Sequence, residues 1–163
     1  MTLQGAAIAV LGMVLMSNTI LASPSHKPNE GHSHSDTPAY GRPGDPGKPA
    51  RTVLIVFREA DGRMLFVPDR LKVGKGEQVR FQLRNGGTID HEFVIATLEG
   101  NLMHMKEMEK NPDMEHDDPN AKRLKPTATG EILWRFTEAG VFDFSCLIPG
   151  HRDSGMFGTI IVE

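Results

Sequence analysis

Cys146, His151 and Met156 are spaced five residues apart in the run Ser145-Cys-Leu-Ile-Pro-Gly-His-Arg-Asp-Ser-Gly-Met156. A thiolate, an imidazole and a thioether this close can be folded around one point by a loop joining two neighbouring strands. Pro149-Gly150 supplies a bend that turns His151 back toward Cys146. His91 offers a second imidazole. It follows Asn85-Gly-Gly-Thr-Ile-Asp90 and opens the apolar run Glu92-Phe-Val-Ile-Ala96. Two imidazoles and a thiolate in one plane, with a weak axial thioether, suit a copper ion that shuttles between Cu(I) and Cu(II).

Cys146 is the only cysteine of the 163 residues, so no internal disulfide can form. Taken alone, such a residue reads as a small buried hydrophobe; His91, His151 and Met156 reverse that reading toward metal ligation. A cysteine nucleophile lacks an acid or base partner other than the histidines the metal needs. A zinc site could use one Cys and two His, but a methionine in fourth place points to copper.

A second cluster, Met103, His104, Met105, Met108, Met114 and His116, has two readings. One is an amphipathic helix and its flank; the other is a secondary Cu(I) site, since thioethers favour soft ions. The histidines at 26, 32 and 34 sit in a polar stretch, where His32-Ser-His34 could capture Cu(II) loosely.

The elements that must position these donors read as strands. Short β-type runs are expected over 52–57, 64–67, 71–73, 78–83, 93–96, 132–136, 141–145 and 158–162, separated by Asp61-Gly62, Gly74-Lys75-Gly76, Asn85-Gly86-Gly87 and Ala139-Gly140. Val79, Phe81 and Leu83 alternate with Gln78, Arg80 and Gln82, which gives a buried face and a wet one. This is the pattern of an all-β Greek-key sandwich, not of alternating βαβ units. Loops at one end of a sandwich converge, so His91 can meet the loop from Cys146 to Met156. Residues 97–126 interrupt the rhythm as an insertion, in which Asn101 is expected to cap a short helix running to Lys110. The phenylalanines at 57, 66, 81, 93, 136, 142, 144 and 157, with Trp134, are expected in the core or as a dry shell around the metal.

Residues 1–22 hold no Asp, Glu, Lys or Arg, and their apolar run is too short to span a bilayer comfortably. They read as a secretory signal peptide cleaved after Ala22. Residues 23–50, with six prolines and four glycines, read as a flexible tail, and 51–163 as the folded domain. The expected location is the periplasm, with no membrane attachment after signal cleavage. The net charge of −3 forms no basic stripe, which argues against nucleic acid. A monomer is expected, with copper ions as ligand and redox proteins as further partners.

The chain from Thr52 to Glu163 resembles the cupredoxins, the family of plastocyanin, azurin and auracyanin. The resemblance rests on Asn85-Gly86 before His91, on Phe136-Thr-Glu-Ala-Gly-Val-Phe-Asp-Phe-Ser-Cys146, and on the Cys-x4-His-x4-Met loop. It implies a Greek-key sandwich with His91, Cys146, His151 and Met156 as the ligands of one type 1 copper. Many cupredoxins place Asn or Ser after the first histidine, where this chain has Glu92. The methionine-rich insertion and the histidine-bearing tail resemble the CopI-type periplasmic copper-resistance cupredoxins. That likeness implies copper tolerance by binding and cycling Cu(I)/Cu(II); the alternative is a soluble electron carrier of a respiratory chain. The chain is not expected to be an enzyme, cuprous oxidation being the one activity left open. A multicopper oxidase or nitrite reductase would need further histidine sets.

Overall fold

The computed structural model describes residues 38–111 and 118–163. The expected signal peptide, most of the tail with its three histidines, and Met114 and His116 lie outside the described residues. Among the described residues, ten strands and one helix follow in order: β1 (Arg42–Pro43), β2 (Arg51–Ala60), β3 (Arg63–Val67), β4 (Arg70–Val73), β5 (Gln78–Asn85), β6 (His91–Ala96), α1 (Leu98–Lys110), β7 (Ala121–Leu124), β8 (Thr129–Arg135), β9 (Gly140–Ser145) and β10 (Phe157–Val162). They form two five-stranded sheets, ordered β1-β8-β5-β2-β3 and β4-β10-β9-β6-β7. Most neighbours pair antiparallel; β2 with β5 and β4 with β10 pair parallel. None of the described helices is long and apolar enough to cross a membrane.

The two inner faces meet in one apolar core, because alternating residues of each strand point inward. Ile55 and Phe57 of β2, Val79, Phe81 and Leu83 of β5, and Phe93 and Ile95 of β6 belong to it, as do Cys146 and Met156. Phe66, Phe93 and Phe144 make edge-on or tilted contacts with centroids 5.0–5.5 Å apart, a spacing favoured by the ring quadrupoles. Phe157 departs from the expected core: it is 47% exposed, and the Arg152 guanidinium lies 4.8 Å over its ring.

β6 is buried on both faces. Its outer face is covered by α1, where Val94, Met108 and Leu147 form a small second cluster joined by Met105 and Ala121. The helix begins earlier than the sequence suggests. Thr97 is the cap, its hydroxyl accepting from the Gly100 amide at 3.0 Å. Asn101 lies inside the helix and is buried, and its amide donates to Val94 O and, at 2.7 Å, to Asp143 Oδ1.

Two short strands went unread in the sequence. β7 closes the inserted segment and adds an edge to the second sheet beside β6; its Lys122 and Arg123 face solvent and mask the strand pattern. β1 lies in the expected tail. Residues 38–50 are tied to the sandwich by Tyr40, whose ring stacks on Trp134 and whose carbonyl accepts from the indole N–H at 2.7 Å. Gln78 adds to this, accepting from the Asp45 amide and donating to Asp45 O.

Candidate metal centre

Three of the four expected ligands sit at strand ends, and His151 lies in the loop between β9 and β10. His91 is the first residue of β6, Cys146 directly follows β9, and Met156 directly precedes β10. β9 and β10 are paired up to Ser145 and Phe157, and the next bond, Cys146 N–H to Met156 O at 3.0 Å, brings the loop's two ends together. Within the loop, His151 N–H donates to Ile148 O and Met156 N–H to His151 O. Gly150 turns the chain at φ +82, a left-handed value that glycine adopts without strain. The expected Pro-Gly bend is therefore present, and it directs His151 inward.

His91, Cys146 and His151 converge in space, with their donor atoms all within 4.8 Å of one another. His91 Nδ1 and Cys146 Sγ each lie 3.2 Å from His151 Nδ1. Such spans fit a shared ion, since nitrogen and sulfur donors bind a first-row dication at about 2.0–2.3 Å. Burial is nearly complete: His91, Cys146 and Met156 are fully buried and His151 is 8% exposed. The donors are therefore shielded from solvent.

Burial sets the protonation of the donors. It pushes the Cys146 thiol up to about 12, against hydrogen bonds from backbone amides that favour the thiolate. It also pushes His151 down to about 4, helped by the neighbouring His91. At neutral pH the site thus holds a neutral His151 imidazole and a protonated thiol, and an ion that bound there would displace the thiol proton.

Glu92 departs from the residue usual after the first histidine, and the structure shows why the departure is tolerated. Its backbone N–H, not its side chain, donates to Cys146 Sγ at 3.3 Å, so any residue other than proline supplies that bond. The carboxyl itself is buried, and desolvation pushes it up to about 7 against the attraction of Arg123.

Two supporting groups were not found in the sequence. Glu59, on β2 of the opposite sheet, accepts from His91 Nε2 at 3.0 Å. Asp143 forms a two-pronged ion pair with Arg152, the residue after His151, at 2.9 and 3.1 Å; Ser145 and Asn101 also donate to Asp143. No local sequence signal marks either group: Glu59 meets His91 only across the two sheets, and Asp143 gathers partners from α1, from its own strand and from the loop after β9. Asn85, recognised in the sequence, is buried and ties the loop before His91 to β7 through Ile89 O and Leu124 O.

The second cluster is divided. Met105 and Met108 pack on Val94 and Leu147, whereas Met103 is 63% exposed. His104 lies beside Met103 along a surface hollow that also includes Gly100 and Glu107. Met114 and His116 lie outside the described residues.

Comparison with known proteins agrees with this geometry. The profile described as copper binding proteins, plastocyanin/azurin family, matches residues 53–163. The copper-resistant cuproprotein CopI of Rubrivivax gelatinosus is 50% identical over 133 residues, covering 81% of this chain and 78% of the relative. CopI of Pseudomonas aeruginosa is 30% identical, covering 97% of this chain and 95% of the relative. Among solved structures, auracyanin B superposes with a TM-score of 0.61 at 24% identity, over 76% of this chain and 96% of that one.

Proposed function

The chain belongs to the plastocyanin/azurin family of copper-binding proteins, and from that premise we propose that it contributes to copper tolerance in the periplasm, holding one type 1 copper through His91, Cys146, His151 and Met156. The observation that carries this reading is the convergence of two imidazole nitrogens and one thiol sulfur in a buried pocket, in a chain half identical to a copper-resistant cuproprotein. A copper ion in such a set supplies one-electron chemistry, because soft sulfur favours Cu(I) while imidazole accepts Cu(II). The protein's own residues hold the donors in place. The strand pair fixes Cys146 and Met156, the turn at Gly150 fixes His151, and β6 fixes His91. With little to rearrange, the same cage serves both oxidation states, which supports cycling as the means of holding copper safely.

Export by residues 1–22 belongs to the same proposal. So does a softer Cu(I) capture point on α1, for which exposed Met103 and the adjacent His104 are the candidates, Met105 and Met108 being engaged in packing. The combined variant Met103→Leu, His104→Ala should lower Cu(I) stoichiometry without altering the type 1 absorption; unchanged stoichiometry removes this capture point.

A deletion strain tests the main reading. Growth should fail at high copper while respiration at ordinary copper stays normal, and the parent gene but not Cys146→Ser should restore growth. Normal copper tolerance with impaired respiration would instead identify an electron carrier.

A further inference from the structure

We propose that Glu59 is a positioning residue of the copper site: its carboxylate fixes the His91 ring with Nδ1 toward the other donors and places a negative charge that favours Cu(II) over Cu(I). This rests on His91 being a ligand, and it gives that ligand a partner from the opposite sheet. Glu59 Oε1 lies 3.0 Å from His91 Nε2. An ionised carboxylate only accepts hydrogen bonds, so Nε2 must carry the hydrogen, and in the neutral ring Nδ1 keeps the lone pair. That Nδ1 is the atom 3.2 Å from His151 Nδ1. Flipping the ring would strand an N–H inside a fully buried pocket, which costs a hydrogen bond with no water to replace it. Phe57 packs against His91 at 89°, centroids 6.3 Å apart, and leaves the ring little room to turn.

The carboxylate is itself held. Thr88 N–H donates to Oε1 at 2.8 Å, Thr88 Oγ1 to Oε2 at 2.6 Å, and Ile89 N–H to Oε1 at 3.2 Å. The loop between β5 and β6 is thus wrapped around this one side chain. Gly87 shows how closely: a Cβ there would overlap Glu59 Oε1 and come within 3.1 Å of His91 Nε2. A carboxylate behind a ligating imidazole raises the basicity of the nitrogen facing the metal. Added negative charge near the ion stabilises its more positive state.

The full-length protein carrying Glu59→Gln or Glu59→Ala tests this. Gln keeps an acceptor for His91 without the charge; Ala removes both. Nitrogen NMR of the histidine rings in the apoprotein should show Nε2-protonated His91 in the parent and in Glu59→Gln, and a tautomer mixture in Glu59→Ala. Cu(II) affinity should fall about 10- to 100-fold in Glu59→Ala and less in Glu59→Gln. The midpoint potential should rise in Glu59→Gln, an effect a merely structural contact would not produce. A parent-like tautomer and affinity in folded Glu59→Ala would overturn the positioning role, and an unshifted potential in Glu59→Gln would overturn the charge role. If the parent itself gave no thiolate-to-copper absorption, the ligand assignment would fail, while the ring spectra would still decide whether Glu59 fixes His91.

Discussion

Replacing Asp143 by alanine isolates the ion pair that anchors the copper loop. The Asp143 and Arg152 side chains are 8% and 11% exposed, and their two bonds are 2.9 and 3.1 Å long. Removing the carboxylate leaves a guanidinium nearly out of water, and it also leaves the Asn101 amide and the Ser145 hydroxyl without their common acceptor. Breaking one side of a buried pair costs about 3–5 kcal/mol. At ~4 °C per kcal/mol for a domain of this size, Asp143→Ala should lower the apoprotein's Tm by about 12–20 °C. The double variant Asp143→Leu, Arg152→Met should recover most of that loss, since apolar groups of similar volume often replace a buried pair without penalty. Urea unfolding of the parent, Asp143→Leu, Arg152→Met and the double variant gives the coupling directly. A cost below about 1 kcal/mol for Asp143→Ala, or a double variant no more stable than the single, would refute the claim that this pair anchors the loop.

Cys146→Ser should lose all thiolate-to-copper absorption in the visible spectrum, since only sulfur supplies that charge transfer. Met156→Leu should keep the band and raise the midpoint potential in voltammetry, as an axial ligand tunes the centre more than it holds the ion. Cu(II) binding at pH 7 should release about one proton, because burial keeps the Cys146 thiol protonated, at about 12, while His151, at about 4, carries no proton. The apparent affinity should then rise about tenfold per pH unit; calorimetry in buffers of different ionisation enthalpy counts the proton. Glu92, raised to about 7, stabilises the apoprotein below its unfolded pKa and loses that contribution as pH rises through 7. His151, lowered to about 4, works in the opposite sense: it costs stability as pH falls from about 6.5 toward 4. Urea midpoints of Glu92→Gln should therefore fall more steeply than the parent's across pH 6.5 to 4; parallel profiles would refute the Glu92 assignment.

The sandwich was legible because its strands alternate and its turns carry glycine: Val79, Phe81 and Leu83 are buried as the pattern requires. The copper loop was legible for a different reason, namely that three donor types fall within one short segment. β1 was not, since two residues, Arg42-Pro43, are too few to show an alternation and are held by Trp134, far along the chain. Asn101 misled because a residue that suits a helix cap also suits a buried polar contact, and only the position of Asp143 decides between them. Glu59 could not be read at all: in sequence it is one more polar residue near a hairpin, and its meaning comes from His91 on the opposing sheet.

The place of β10 has a consequence for synthesis. It lies between β4 and β9, pairing parallel with one and antiparallel with the other, so the second sheet stays split until this strand has been made. Met156 stands at its head and β10 is the last strand in chain order. During translation, the strand that closes the sheet and Met156, the expected fourth ligand, are therefore made together, after every other described element has been synthesised. A chain that ends before residue 156 therefore lacks both the strand that joins β4 to β9 and the thioether expected as the fourth donor.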